Sequence, residues 1–123
     1  MSGGHFLNCY CIDDYIDEIR KELEKTNRVW SKQMIDDLSP WERDWYKVGE
    51  PLVEYNDPEK IREAFKDAIH ALAVASCYVH RIDYLICCDD GEDAFHERLQ
   101  ENLREVERRA EDGSLYKWDF DVM

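Results

Sequence analysis

No stretch of this sequence approaches the roughly 18 uninterrupted apolar residues of a membrane-spanning helix, so a span of that kind is excluded. The opening Met1-Ser2-Gly3-Gly4-His5-Phe6 lacks the basic and apolar regions of a signal peptide, and the expectation is a soluble protein that stays in the cytoplasm where it is made. Positive charge is scarce. Sixteen Lys and Arg stand against 29 Asp and Glu, a net charge of −13. That balance excludes non-specific attraction to nucleic acid or anionic lipid, where cationic side chains meet phosphate, and it favours basic partners. Catalytic signatures are also missing: there is no Ser/His/Asp arrangement in a recognisable context, no Gly-rich phosphate loop and no paired-His motif on a helix. The residues therefore read as those of a non-enzyme without a cofactor. Five cysteines (Cys9, Cys11, Cys77, Cys87, Cys88) are an odd number outside any small secreted framework, which points to reduced thiols.

Hydrophobic residues make up 44% of the chain, with four Trp, seven Tyr and four Phe. This is too rich for an acidic disordered tail, and 123 residues suit one domain over 1–123. From Pro58 to Cys88 there is no Gly and no further Pro, while Ile61, Phe65, Ile69, Leu72, Cys77, Ile82 and Leu85 keep helical spacing. Asp57 before Pro58 reads as an N-cap followed by proline at the first helical position. The spacing predicts one long central helix over about 58–88. Its section from Ala68 through Val79 is apolar nearly all round, which predicts cover from several sides.

The other elements follow from the same signals. An N-terminal arm, 1–11, leads to a helix from about Ile12 to Thr26 with Ile12, Ile16, Ile19 and Leu23 on one face. Residues 28–38 are ambiguous. Ser39-Pro40-Trp41-Glu42 has the form of a capping box and predicts a short helix carrying Trp41, Trp45 and Tyr46. Leu52, Val53 and Tyr55 cross to the long helix as a connector or short strand. Asp89-Asp90-Gly91-Glu92 predicts a tight turn and a second cap, followed by a helix over about 91–111 with Phe95, Leu99, Leu103, Val106 and Ala110 inward. The short connection predicts that the last two helices pack antiparallel, giving an all-α bundle with a docked tail over 113–123.

Three stretches also carry a resemblance. Met1-Ser2-Gly3-Gly4-His5-Phe6, Tyr78-Val79-His80-Arg81-Ile82-Asp83-Tyr84-Leu85 and Asp89-Asp90-Gly91-Glu92-Asp93-Ala94-Phe95-His96-Glu97-Arg98-Leu99 resemble a group of short bacteriophage and prophage proteins. They cover about a quarter of the chain, and the Trp-rich centre falls outside them. The resemblance implies a setting rather than an activity: a phage accessory protein in the host bacterial cytoplasm, of a kind that often disarms host defences.

Four constellations are candidates for function. His5, Cys9, Cys11, Cys87, Cys88 and His96 include soft ligands for zinc, but Cys9-x-Cys11 and adjacent Cys87-Cys88 lack the paired spacing of a zinc ribbon or finger, and a packed helix end explains them without metal. Arg81, Asp83, Asp89, Asp90, Glu92, His96 and Arg98 gather at the last interhelical turn. There Arg81 and Arg98 would clasp a nucleotide phosphate with the helix N-terminus, or form an ion-pair network of Arg81–Asp83 type. Glu97, Glu101 and Glu105 recur about 6 Å apart along a helix, a spacing that imitates a phosphate backbone. Asp13, Asp14, Asp17, Glu18 and Glu22 form the cleaner acidic patch.

The expected function is that of a non-catalytic phage counter-defence inhibitor, occupying a basic surface of a bacterial immune protein such as a CRISPR nuclease through its acidic patches and exposed aromatics. The alternative is an oligomeric sponge for a nucleotide immune signal; the third is a zinc-stabilised interaction module. Direct nucleic-acid and membrane binding are not expected.

Overall fold

The structure, a computed structural model, describes residues 11–88 and 90–117. The N-terminal arm with His5 and Cys9, residue Asp89, and the tail from Trp118 lie outside the described residues.

The element order is α1 (Cys11–Lys25), α2 (Lys32–Asp36), α3 (Pro58–Ile86) and α4 (Glu92–Asp112), with 3-10 turns at Arg43–Trp45 and Ser114–Tyr116. This is an all-α arrangement, with the long α3 central and α4 packed against it. At 1.5 Å per residue, the 29 residues of α3 extend over about 43 Å. The Asp57 carboxylate accepts from the Lys60 N–H and Pro58 opens the helix. At the far end of α4, Gly113 closes the helix at φ +84°, a left-handed conformation that a Cβ would disfavour.

Side-chain ties fix the directions. The first turn of α1 meets the second half of α3, where Asp13 accepts from Ser76 Oγ at 2.8 Å and faces His80 Nε2 at 3.0 Å. The end of α1 meets the start of α3, where Arg62 donates to Thr26 Oγ1 at 3.0 Å and to the Thr26 carbonyl at 2.8 Å. Helix α1 therefore runs antiparallel to α3. So does α4: Arg98 near its start shares Asp90 with Arg81, while Glu107 near its end lies 2.8 Å from His70 Nε2.

Between these helices lies one hydrophobic cluster, comprising Ile16 and Leu23 of α1, Ile69 and Ala73 of α3, Val106 of α4 and Leu115 of the following 3-10 turn. Ile12, Ile19, Phe65, Leu72 and Ala110 pack around it. The Arg20 Nε–H donates to the Leu115 carbonyl at 2.7 Å and seats that turn against α1. The expectation that the middle of α3 is covered from several sides holds only for its inner face. Ile69, Ala73 and Ser76 are buried, but Ala71 and Tyr78 are exposed, because among the described residues α1 and α4 share one side of the helix.

The segment between α1 and α3 differs most from expectation. Ser39-Pro40-Trp41-Glu42 does not start an α-helix; the chain makes turns and then the 3-10 turn Arg43–Trp45. The ambiguous 28–38 stretch contains the five-residue α2, capped by Ser31 Oγ accepting from the Met34 N–H. The lobe from Arg28 to Leu52 closes on itself. Val29 and Pro51 form an isolated antiparallel bridge, flanked by Trp30 N–H to Glu50 O at 2.8 Å, Gly49 N–H to Trp30 O at 2.9 Å and Leu52 N–H to Arg28 O at 2.9 Å. Leu52, Val53 and Tyr55 form no strand; the bridge stops at Pro51. Extensive packing joins α1, α3, α4 and the Ser114–Tyr116 turn but leaves α2 out.

The one-sided burial of α3 makes a measurable asymmetry. Ile69→Ala is expected to lower unfolding free energy in urea by roughly 2–5 kcal/mol, whereas Tyr78→Ala on the open face is expected to stay within about 0.5 kcal/mol of the parent. Equal losses would place Tyr78 in a packed environment.

Candidate functional site

The α3–α4 turn gathers the polar residues that sequence spacing had suggested. Cys87 N–H and Cys88 N–H bond back to Asp83 O and Leu85 O, and Cys88 reverses the chain at φ +62°, a left-handed position without a glycine. The reversal turns Asp90 inward, and its side chain has no solvent exposure. Arg81 Nη1 lies 3.4 Å from one carboxylate oxygen and Arg98 Nη1 bonds the other. The Arg81 guanidinium also stacks over the Tyr84 ring, 4.5 Å from its centroid. Asp90 was expected in the cap of α4. The cap residue is instead Gly91, with no side-chain bond, and Asp90 serves as the clasp between two helices.

This geometry bears on anion binding. Both guanidinium groups nominated for a phosphate already meet a buried carboxylate. Among the described residues, Arg81 Nε is left buried without a hydrogen-bond partner. Asp83, 2% exposed, lies on the inner side of α3, and the ion pair of Arg81 runs to Asp90. His96 is exposed, with its ring against Phe95 at 5.1 Å.

The zinc candidates do not converge among the described residues, where no group of three His, Cys, Asp or Glu side chains is placed to hold an ion. Cys11 is exposed at the start of α1; Cys87 Sγ approaches Asp83 at 3.8 Å and Cys88 Sγ approaches the Ile86 carbonyl at 3.9 Å.

A groove of about 340 Å³ opens between α1, α3 and α4, lined by Asp13, Asp17, Arg20, Ser76, Cys77 and Arg109 above the apolar core. Burial pushes the Cys77 thiol above its usual range, so it stays protonated and is a poor nucleophile at neutral pH. Asp13 bridges Ser76 and His80; the serine hydroxyl points to the carboxylate rather than to the imidazole. That order ties α1 to α3. The Asp13/Ser76/His80 cluster was not legible in the sequence, since 63 residues separate Asp13 from Ser76.

The acidic rows differ in how their carboxylates are paired. On α1, Asp17 pairs with Arg20, Glu18 with Lys21 and Glu22 with Lys25, each three residues on, and Asp13 is engaged with α3. Asp14, Glu18 and Glu22 remain exposed, and with six acids against three bases α1 keeps a net negative charge. On α4, Glu105 is held below the usual carboxylate range by the Arg108 hydrogen bond, and Asp112 is held down by its bonds from Ser114. Glu97 and Glu101 stand exposed one turn apart on the outer half of α4, opposite the buried Leu99.

The remaining surface feature is the lobe. Trp30 and Tyr46 stack inside it with centroids 4.3 Å apart, and Arg43 donates to the Asp36 carbonyl at 2.7 Å and the Leu38 carbonyl at 3.2 Å. Trp41 and Trp45 are 66% and 64% exposed, and their rings meet edge to face at 5.4 Å and 83°. Their four-residue spacing was visible in the sequence; their projection to solvent was not.

These features define the class as a small all-α bundle with a self-closed aromatic lobe between its first and central long helices. A scan of protein-family models finds no match to the chain, and comparisons with curated proteins and with solved structures find none either. Among the described residues no helix is long and apolar enough to cross a membrane.

The Asp90 clasp makes unequal predictions for its members. Asp90→Ala strands the largely buried Arg81 and is expected to destabilise by roughly 3–5 kcal/mol, while Arg98→Ala, whose side chain is 54% exposed, is expected to cost about 1 kcal/mol or less. Denaturant titration of both variants checks the order; the reverse order would mean that Asp90 does not hold the turn.

Proposed function

We propose that the chain is a non-catalytic binding protein that occupies a basic surface of a bacterial defence protein, such as a CRISPR nuclease, in the host cytoplasm. The observation carrying this reading is the lobe: a segment closed by its own bridge, outside the main helix packing, that keeps two tryptophans about two-thirds exposed. Exposed indoles on a preorganised support are typical anchors of protein interfaces, because they bury a large area with few rotatable bonds. The net charge of −13 selects the partner's sign and speeds its approach, with Glu97 and Glu101 as the carboxylates of the α4 row set to face it. The phage setting rests on the resemblance of the opening and of the α3–α4 turn.

The deciding experiment compares the full chain with a version in which residues 31–48 are replaced by a short Gly/Ser linker between Trp30 and Gly49, which the native bridge already holds together. Pull-down from infected bacterial lysate with native mass spectrometry is expected to give a stoichiometric complex with a basic host protein for the full chain and none for the shortened one. Raising the salt is expected to weaken the complex. Equal capture by both versions, or a partner without a basic surface, overturns the reading.

The second reading, a sponge for a nucleotide signal, is favoured by one observation, the unpartnered buried Arg81 Nε near the end of α3. An anion binding there has to compete with Asp90 for both arginines. Thermal stabilisation by a cyclic or ADP-ribose-type nucleotide that disappears in Arg81→Ala supports it; no shift with the parent protein disposes of it.

A further inference from the structure

We infer that the corner formed by Trp41 and Trp45 is a receptor for an arginine side chain on the partner's surface; this deepens the binding reading above and rests on it. Set nearly perpendicular at 5.4 Å, the indoles present two walls, and each residue is about two-thirds exposed. A lobe that needed aromatics only for its own closure has them in Trp30 and Tyr46. Leaving two further indoles exposed forgoes the gain from burying their large apolar area, a gain that a partner recovers.

The flanking residues set the chemistry of that partner. The sequence across the corner is Trp41-Glu42-Arg43-Asp44-Trp45, so two carboxylates lie between the indoles, one on each side of Arg43. The one cation among them, Arg43, is turned back: its guanidinium is committed to the carbonyls of Asp36 and Leu38 and holds the turn in shape. The corner therefore combines electron-rich ring faces with local negative charge. A cation over an indole face gains from the ring quadrupole. Arginine fits better than lysine, because its flat guanidinium stacks on an indole while its N–H groups donate to a neighbouring carboxylate, whereas an ammonium is a compact and strongly hydrated charge. The support is rigid as well. Ser31 caps α2, Arg43 ties the turn and the Val29–Pro51 bridge closes the base, so little ordering remains to be done on binding.

The test uses the full chain and defined probes: an acetylated Gly-Arg-Gly repeat peptide, its lysine counterpart and its citrulline counterpart, the last keeping the shape of arginine without its charge. Indole fluorescence and calorimetry are expected to rank them arginine, lysine, citrulline. Trp41→Ala and Trp45→Ala are each expected to weaken the arginine peptide roughly two- to thirty-fold. Trp41→Phe and Trp45→Phe are expected to retain part of the binding, and Glu42→Gln with Asp44→Asn to narrow the preference for arginine over citrulline to what the indole faces alone supply. Circular dichroism confirms that each variant is folded. Citrulline binding as well as arginine, or unchanged affinity in both folded alanine variants, overturns the inference. The two proposals fail separately. A basic host protein that is lost when residues 31–48 are replaced but is captured equally by the parent and by Trp41→Ala/Trp45→Ala leaves the inhibitor reading standing and removes the corner. Arginine-selective binding at the corner with no host protein captured does the opposite.

Discussion

The burial of one face of α3 is the constraint on which the arrangement depends. A single helix of 29 residues has no means of hiding its own apolar side, and here Ile69, fully buried, marks the line along which α1 and α4 meet it. Apolar contact alone would permit either direction of packing. The direction is set by polar ties at the ends, Asp13 to Ser76 and His80 at one end of α1 and Arg62 to Thr26 at the other. Each is modest alone, but an antiparallel register satisfies them all at once, and a reversed α1 would leave the buried Ser76 hydroxyl without its acceptor.

Electrostatics in this acidic chain is arranged by register as much as by composition. With acids outnumbering bases by 29 to 16, the bases are placed where one helical turn links them to an acid: Arg20, Lys21 and Lys25 on α1, Arg62 on α3 and Arg108 on α4. Such exposed pairs contribute little to stability. Asp90 is the exception, an acid enclosed completely and held between two arginines. Breaking that clasp would free α4 at its start, which makes the turn a structural joint before it is anything else.

The lobe obeys a different logic from the bundle. Its closure uses a bridge, a stacked Trp30–Tyr46 pair and an arginine bonded to carbonyls, all with both partners inside the segment from Arg28 to Leu52. That independence leaves Trp41 and Trp45 free to project. The helices and the lobe thus divide the chain into a packed bundle and a segment closed by contacts of its own.

The sequence alone determined the helices. Asp57-Pro58, the unbroken spacing from Ile61 to Leu85 and Gly113 placed α3 and the end of α4 within a residue or two, because caps and periodicity act between near neighbours. The inward positions Ile16, Leu23, Ile69, Leu99 and Val106 followed for the same reason. Where local signals competed, they misled: Ser39-Pro40-Trp41-Glu42 has the form of a capping box, yet the following residues are bound into the lobe and allow only one 3-10 turn. Partner choice belonged to the tertiary structure. That Asp90 faces Arg81 and Arg98 rather than capping α4, that Asp13 turns in to Ser76, and that Trp41 and Trp45 turn out are matters of distance in space. Hydrogen bonds and ion pairs act over a few ångströms, and only the packed chain brings residues tens of positions apart to that range.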